Sequence, residues 1–308
     1  MVHASMPQMA GSTDMTTKII RAGELELWTE GLGDPAHAPL LLIMGANASG
    51  MSWPDEFLAM LVSGGRFVIR YDHRDTGRST RRDFQGHPYA VADLARDAVA
   101  VLDGYGIRRA HAVGLSMGGS IGQILALDHR ERLLTLTVTM TAALDVDFVG
   151  NIGRALRGEP SPDGLPTPDP RVLRALARRA EPGRDREAEL AWRIEEWRVL
   201  SGGELPFVES EFRRWEEKAI VHAGTHQQPT AHAFATPFPV ERGGELRRVT
   251  TPTLVIQAPR DPLNPPPHGR HLAEVILGAR LVEIPGMGHA LPSAVHRQLA
   301  DLILEHTR

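Results

Sequence analysis

Short apolar runs that alternate with segments of helical periodicity are the feature that most restricts the fold of this chain. Residues 39–44, 66–71 and 110–115 form three such runs, each with the length of a buried strand. Residues 91–104 lie between two of them and place their apolar side chains on one helical face. Alternation of strand and helix is typical of a parallel sheet whose strands are joined by helices. The predicted fold class is therefore α/β, with a mostly parallel central sheet and helices on both of its faces.

The alternation stops near residue 145 and resumes near residue 251, which predicts an insertion into a single sheet. Within the insertion, proline-rich joints separate amphipathic stretches that favour helices. The predicted α/β core consists of residues 18–144 and 233–308, residues 145–232 form a helical cap, and residues 1–17 are a disordered leader. The other predicted elements are strands at 19–21, 25–29, 133–139, 251–257 and 280–284, and helices at 117–128, 171–179, 184–200, 208–223 and 293–305.

The composition excludes several classes of protein. The chain has no cysteine among its 308 residues, which excludes disulfides, thiol nucleophiles and cysteine-ligated metals. The formal net charge of −4 argues against nucleic acid or an anionic membrane as a partner. No apolar run is long enough to span a bilayer, and the first residues lack the pattern of a secretory signal. A cytoplasmic location is therefore expected.

Gly114, Ser116 and Gly118 form a G-x-S-x-G pattern at the junction of a predicted strand and a predicted helix. A serine in such a sharp turn adopts a strained backbone that only small neighbours tolerate, and the turn lifts its hydroxyl above the sheet. The pattern alone also fits a glycine-rich turn with an incidental serine. Its position between strand and helix favours the first interpretation, so we predict that Ser116 is a catalytic nucleophile.

A serine hydroxyl needs a base to accept its proton, and the base needs a carboxylate to orient it. On a sheet of this kind the acid precedes the base in the chain, and both follow the serine. Asp261 and His289 each come just after a predicted strand, and we predict that they are the acid and the base. Two alternatives stay open: Asp261 caps the next helix, or Asp145 after an earlier strand is the acid.

Acyl transfer at a serine also needs two backbone N–H groups that stabilise the oxyanion. One is expected on Met117, the residue after the nucleophile, and the other on the loop that follows residues 39–44. Ala46 is the predicted second donor. Asn47 beside it is expected either to touch the substrate or to stabilise the turn.

Two further groups of polar residues are interpreted as structural. Asp72 and Arg74 follow a predicted strand, and we expect them to pair and to hold their loop near the nucleophile. His222, His226 and His232 form a loose cluster in the insertion, but their spacing fits no common metal-ligand pattern. No metal and no organic cofactor is predicted.

Taken together, these residues resemble the α/β-hydrolase superfamily and, within it, the anthracycline methylesterases. The resemblance implies that Ser116, Asp261 and His289 form a catalytic triad and that Ala46 and Met117 donate to the oxyanion. The family pattern has glycine at the position of Ala46, so the accepted ester position or acyl size is expected to differ. The similar stretches, of which those in the cap are the more specific, are residues 53–57, 71–80, 114–118, 197–202, 215–224 and 284–292.

The resemblance implies a serine carboxylesterase of antibiotic biosynthesis that tailors a polyketide. Such an enzyme hydrolyses the methyl ester of a polycyclic aromatic, anthracycline-type compound to the free acid and methanol through an acyl-enzyme, and its partner is this small hydrophobic ester. Trp192, Trp197 and Trp215 lie in the predicted cap, where they either stack on a flat ligand or pack the cap helices. The alternatives are a cofactor-free perhydrolase, a hydrolase of another ester or lactone, and a non-catalytic receptor on the same fold.

Overall fold

The structure, a computed structural model, describes residues 15–181 and 183–308 and is built around one eight-stranded sheet. The order across the sheet is β1-β2-β4-β3-β5-β6-β7-β8. β2 is antiparallel to both β1 and β4, and all other neighbours are parallel, which confirms the predicted fold class. The strands are β1 (Met15–Ala22), β2 (Leu25–Leu32), β3 (Ala38–Ile43), β4 (Arg66–Tyr71), β5 (Ala110–Leu115), β6 (Leu133–Thr139), β7 (Thr253–Gln257) and β8 (Arg280–Glu283).

Helices cover both faces of this sheet, and a group of four lies between β6 and β7 in the chain. That group, α4 to α7, is called the inserted helices below. The α-helices of the described residues are α1 (Asp55–Ser63), α2 (Val91–Gly104), α3 (Met117–Asp128), α4 (Phe148–Arg157), α5 (Pro170–Ala177), α6 (Arg186–Leu200), α7 (Glu209–Ala223), α8 (His268–Val275) and α9 (Ser293–His306).

The side chains of β3 show why the sheet is covered on both faces. Leu40 and Leu42 pack in one apolar cluster with residues of α1 and α9, whereas Leu41 and Ile43 pack in another with residues of α2 and α3. All four are fully buried. Because successive side chains of a strand point to opposite faces, an unbroken apolar run requires cover on both. β3 accordingly carries apolar side chains along its whole length.

Four of these loops leave the sheet at the same edge. β3, β5, β7 and β8 run parallel, so the segments that follow their carboxyl ends lie side by side. Ala46, Ser116, Asp261 and His289 belong to those four segments. Open α/β sheets bind their ligands at this edge.

The inserted helices are joined to each other by buried ion pairs. Arg193 of α6 donates to Glu189 one turn earlier at 3.0 Å and to Glu216 of α7 at 2.9 Å. Its remaining nitrogen donates to the carbonyl oxygen of His226 at 2.6 Å. All three charged side chains are less than a tenth exposed. Buried charges are tolerated when they are paired in this way, so α6 and α7 are fixed relative to each other.

The predicted elements agree with the observed ones to within a few residues, but the sequence pattern does not predict α1 or α4 and gives no bounds for α8. Two glycines lower the helix propensity of α4, which is stabilised instead by Asp147, whose carboxylate accepts the Gly150 N–H at 2.9 Å. Of the predicted leader, residues 1–14 lie outside the described residues, whereas residues 15–17 pair with β2 as part of β1. Among residues 15–181 and 183–308, no helix has the length and apolarity needed to cross a membrane.

Candidate active site

Ser116 occupies the sharp turn between β5 and α3, with φ 55° and ψ −121°. A side chain at Gly114 would place its Cβ 2.2 Å from the carbonyl oxygen of Gly118, and one at Gly118 would meet the carbonyl oxygen of Ile43 at 2.0 Å. Both glycines are therefore required for the turn to close. This positive φ is rare for a residue other than glycine, and the half-buried hydroxyl is held out above the sheet edge.

The backbone around Ser116 fixes this strained conformation. Its N–H donates to the carbonyl oxygen of Thr139 on β6 at 3.0 Å. Its carbonyl oxygen accepts from the N–H groups of Gly119 at 2.8 Å and Ser120 at 3.2 Å, at the start of α3. The turn is thus hydrogen-bonded to a strand on one side and to a helix on the other, and these bonds hold the Ser116 backbone in its strained conformation.

His289 and Asp261 form a buried pair after β8 and β7. Nδ1 of His289 lies 2.9 and 3.0 Å from the two carboxylate oxygens of Asp261, whose side chain has no exposed surface. One of these oxygens also accepts the N–H groups of Leu263 at 2.8 Å and Asn264 at 3.0 Å. Asp261 therefore both organises its own turn and orients the imidazole. The carboxylate makes Nδ1 the protonated nitrogen and leaves Nε2 as the basic one.

The loop that carries His289 rests on the end of an inserted helix. The N–H of His289 donates to the carbonyl oxygen of Leu200, the last residue of α6, at 2.8 Å. A Cβ on Gly288 would approach the carbonyl oxygen of Ser201 to 2.3 Å. The glycine before the histidine is needed because two backbones approach each other here.

Ser116 and His289 line one cavity of about 660 Å³. No hydrogen bond joins Ser116 Oγ to the imidazole in this structure, although both side chains are described and both face that space. Catalytic hydrogen bonds are often long without a substrate and shorten in the reacting complex. What relates the two side chains in this structure is the cavity that both of them line.

The loop from Met44 to Asn47 lies beside Ser116 in the same cavity. A Cβ on Gly45 would be 3.3 Å from Cβ of Ser116, so this backbone packs against the side chain of Ser116. Asn47 has a left-handed φ of 60° and donates its N–H to Nδ1 of His232 at 2.8 Å. The N–H groups of Ala46 and Met117 donate to no acceptor among the described residues, and both residues line the cavity.

The cavity wall is mostly apolar and has one charged end. Trp197 and Trp215 contribute to it, but Trp192 does not: that ring packs under the guanidinium of Arg184 at 4.4 Å. Of the two alternatives, stacking on a ligand therefore stays a prediction for Trp197 and Trp215, whereas Trp192 packs within the inserted segment. Apolar side chains on the wall include Leu115, Leu144, Val146, Phe148, Ile152, Leu156, Leu173, Leu176, Phe234, Phe238 and Leu263.

The charged end is formed by α6 and α7. Arg193, Glu196 and Glu216 line it, and each is less than a tenth exposed. Trp197 donates its indole N–H to Glu216 at 2.6 Å, while Arg179 pairs with Glu196. Burial raises the pKa of Glu196 above its usual value, and the arginine beside it opposes that shift.

The predicted pairing of Asp72 with Arg74 is wrong. Arg74 makes two 2.7 Å hydrogen bonds to Asp97 of α2 instead. Asp72 is fully buried and accepts from Gly50 N–H at 2.8 Å, from Arg78 N–H at 2.7 Å and from Nε2 of His222 at 2.7 Å. The carboxylate therefore links its own loop to α7, a contact across 150 positions that local sequence cannot reveal.

Within the described residues, none of the other candidates from the sequence makes a hydrogen bond to Ser116 or His289, although His232 lines the same cavity. Asp145, the alternative acid, pairs with Nε2 of His271 at 2.9 and 3.1 Å rather than with His289. The three histidines of the loose cluster bind separate partners: His222 binds Asp72, His226 binds the carbonyl oxygen of Arg184 at 3.2 Å, and His232 binds Asn47 and Arg74. Within residues 15–181 and 183–308, no group of side chains is arranged to hold a metal ion.

Comparison with known proteins now identifies the family. The family model described as "alpha/beta hydrolase fold" matches residues 38–292. The chain belongs to the α/β-hydrolase family. A solved hydrolase from Pseudomonas aeruginosa PA01 is 25% identical, superimposes with a TM-score of 0.65, and is matched over 96% of this chain and 98% of its own.

Two curated α/β-hydrolases are similar over almost the whole chain. Rhodomycin D methylesterase DnrP of Streptomyces peucetius is 58% identical over 294 residues, which cover 96% of this chain and 99% of that protein. Rhodomycin D methylesterase DauP of Streptomyces sp. (strain C5) is 56% identical with the same coverage. The predicted family resemblance is thereby confirmed, inserted helices included.

Proposed function

We propose that this α/β-hydrolase is a carboxylic ester hydrolase that removes the methyl group from the ester of an anthracycline-type polyketide. The observation that carries the proposal is that Ser116 and the Asp261-bound imidazole of His289 face one large apolar cavity. Relatives at 58% and 56% identity, named as rhodomycin D methylesterases, support the substrate class. We further propose a cytoplasmic location, because the ester would be a product of intracellular biosynthesis.

In the proposed mechanism, Nε2 of His289 takes the proton of Ser116 as Oγ attacks the ester carbonyl carbon. The carbonyl oxygen becomes an oxyanion that accepts hydrogen bonds from the N–H groups of Ala46 and Met117. The C–O bond to the methoxy group then breaks, and His289 returns the proton so that methanol leaves. Water attacks the acyl-enzyme with the same base, which releases the free acid and restores Ser116. Asp261 stabilises the imidazolium that forms in each half-reaction.

The cavity supports a large flat substrate rather than a short-chain ester. Its volume of about 660 Å³ lies within the range that holds a drug-sized ligand. Several of its apolar residues are exposed: Val149 and Leu156 of α4 and Phe234 are each more than half exposed and form an apolar rim. We propose that residues 145–232 act as the cap over this site and that the ligand enters past that rim.

The direct test compares Ser116→Ala with Ser120→Ala. Ser120 lies one turn along α3 and also lines the cavity, so it is a matched control for a lost hydroxyl. We expect Ser116→Ala to abolish turnover of anthracycline methyl esters and labelling by a fluorophosphonate, while Ser120→Ala retains both. Retention of more than about a tenth of wild-type activity in Ser116→Ala or His289→Ala would contradict the assignment.

A substrate panel separates the chemistry from the substrate class. Anthracycline methyl esters and simple aryl esters are incubated with the enzyme, and mass spectrometry records the conversion of each methyl ester to its acid. Conversion of the anthracycline esters supports the full proposal. Activity on aryl esters alone would overturn the substrate class and leave the esterase, whereas labelling without any ester turnover would favour another serine-dependent reaction.

A further inference from the structure

Two buried imidazoles hold the loop from Met44 to Asn47 at its two ends. Nε2 of His73 lies 2.9 Å from the carbonyl oxygen of Met44, and Nδ1 of His232 accepts the N–H of Asn47 at 2.8 Å. The two rings meet edge to face, with centroids 5.5 Å apart. Ala46, whose N–H is one proposed oxyanion donor, lies between the two anchored positions.

Both ring nitrogens of His232 make hydrogen bonds to the backbone. Because Asn47 N–H donates to Nδ1, the ring proton must lie on Nε2, which then donates to the carbonyl oxygen of Arg74 at 3.0 Å. The backbone N–H of His232 donates in turn to Oδ1 of Asn47 at 3.2 Å. The ring thus joins the loop after β3 to the loop after β4 through one defined tautomer.

The surroundings of His232 favour the neutral ring that this arrangement needs. Burial lowers its pKa to about 3, and the neighbouring His73 and the charge of Arg74 act in the same direction, against the hydrogen bond to the Arg74 carbonyl oxygen. Arg74 itself is held by Asp97 through two hydrogen bonds, so its charge stays beside the ring. Tyr89, whose ring centroid lies 6.3 Å away, completes these surroundings.

The contact to Asn47 fixes the peptide that follows Ala46. The N–H of Asn47 and the carbonyl group of Ala46 belong to one rigid plane, so the hydrogen bond to His232 restricts the rotation of that plane. Asn47 also has a left-handed φ of 60°, which is unfavourable without such support. Loss of the bond would let the plane relax, and the N–H of Ala46 would move with it.

We propose that His232 is a positioning residue, which acts through Asn47 to aim the Ala46 N–H at the developing oxyanion. The inference rests on the proposed function only in its assignment of Ala46 as an oxyanion donor. It predicts a defect in transition-state stabilisation and none in substrate binding. An oxyanion donor that is present but misaligned is expected to reduce the rate less than one that is missing, whose loss lowers kcat about 10²–10³-fold.

The test compares His232→Leu, which removes the acceptor, with His232→Asn, whose amide oxygen can take the place of Nδ1. We expect His232→Leu to lower kcat for 4-nitrophenyl acetate about 10–100-fold with KM changed less than about threefold. His232→Asn should restore kcat to within about fivefold of wild type. If His232→Leu does not fold, His232→Gln replaces it, because its longer amide reaches the position of Nε2 rather than Nδ1.

A tetrahedral inhibitor gives a readout that a merely structural role would not change. Phenylboronic acid forms a B–O bond to Ser116 and presents an oxygen to the oxyanion site, so its inhibition constant should weaken in parallel with kcat in His232→Leu. Wild-type kcat in the folded variant, or a rise in KM with unchanged boronate binding, would overturn the proposal. 4-Nitrophenyl acetate keeps the test independent of the anthracycline substrate, and absence of fluorophosphonate labelling in wild type would identify failure of the proposed function itself.

Discussion

Two buried histidine–aspartate pairs have nearly the same geometry and different surroundings. His289 bonds to Asp261 at 2.9 Å and His222 bonds to Asp72 at 2.7 Å, and both carboxylates are fully buried and accept two backbone N–H groups. His289 uses Nδ1 and keeps Nε2 on the side of the cavity. His222 uses Nε2, lies edge to face with Trp28 at 4.4 Å between centroids, and is not part of the cavity wall.

The difference shows that a hydrogen-bonded imidazole becomes a candidate base only through what its other nitrogen faces. A carboxylate orients His222 as firmly as it orients His289. The hydrogen bond between His222 and Asp72, however, serves to attach α7 to the loop that carries Asp72. His271 with Asp145 is a third such pair, and each of its side chains is about 30% exposed. Three pairs of one chemistry thus occupy three settings: cavity, interior and surface.

The largest effect that would test this comparison is expected for Asp261→Asn. The amide oxygen can still accept from Leu263 and Asn264, but the NH₂ group would face Nδ1 of His289 and force the wrong tautomer. We expect kcat to fall about 10³–10⁴-fold, with little change in the midpoint of thermal unfolding. Steady-state kinetics together with calorimetry measure both, and a loss below tenfold would remove His289 from the role of base.

The equivalent change in the second pair, Asp72→Asn, should affect stability instead. Either orientation of the amide would turn its NH₂ group toward at least one of three donors, from Gly50, Arg78 and His222. We expect the free energy of unfolding to fall by about 2–4 kcal/mol, with kcat changed less than about tenfold at 25 °C. His222→Gln is the matched control, because its amide can still donate to Asp72. The comparison fails if Asp72→Asn loses as much kcat as Asp261→Asn.

His232, which is buried without a carboxylate partner, should make the free energy of unfolding depend on pH. Burial lowers the pKa of His232 to about 3 in the folded chain, while the unfolded value is about 6.5. Between these values the unfolded chain binds a proton that the folded chain does not, so stability is complete above pH 6.5 and falls as the pH decreases toward 3. The contribution lost between pH 7 and pH 5 is about 2 kcal/mol. Urea unfolding of wild type and His232→Asn at both pH values measures it, and equal pH dependence would contradict the buried neutral ring.

The smallest effect is expected for the surface pair. Asp145→Asn should change the free energy of unfolding by less than about 1 kcal/mol and kcat by less than about twofold, because partly exposed ion pairs contribute little. A larger kcat loss than in Asp261→Asn would restore Asp145 as the acid. The double variant with His271→Asn controls for an uncompensated partner.

The positions of Ser116, Asp261 and His289 at one edge of the sheet could be predicted because their signals are local. Ser116, Asp261 and His289 each follow a strand that is recognisable from its apolar run, and parallel strands place the following residues at one edge. The glycines around Ser116 and before His289 mark close backbone approaches, where an added Cβ would lie only 2.0–2.3 Å from a carbonyl oxygen. The fold class follows from the same periodicity.

The contacts between distant segments could not be predicted in this way. Asp72 was expected to bind Arg74 two positions away, whereas its partner His222 is 150 positions distant on α7. His232 binds Asn47 across 185 positions and was interpreted only as part of a histidine cluster. Such pairings depend on how the inserted helices lie over the sheet, and no periodicity within a single chain segment records that arrangement.

The backbone hydrogen bond from His289 to Leu200 has a consequence for engineering. Exchange of the inserted helices with those of a relative is usually planned as a change of pocket walls, with the reacting groups left untouched. Here the end of α6 is also the surface against which the histidine loop settles. A chimera would therefore shift the imidazole of His289 as well as change the cavity wall, unless it kept the carbonyl oxygens of residues 200 and 201 in place.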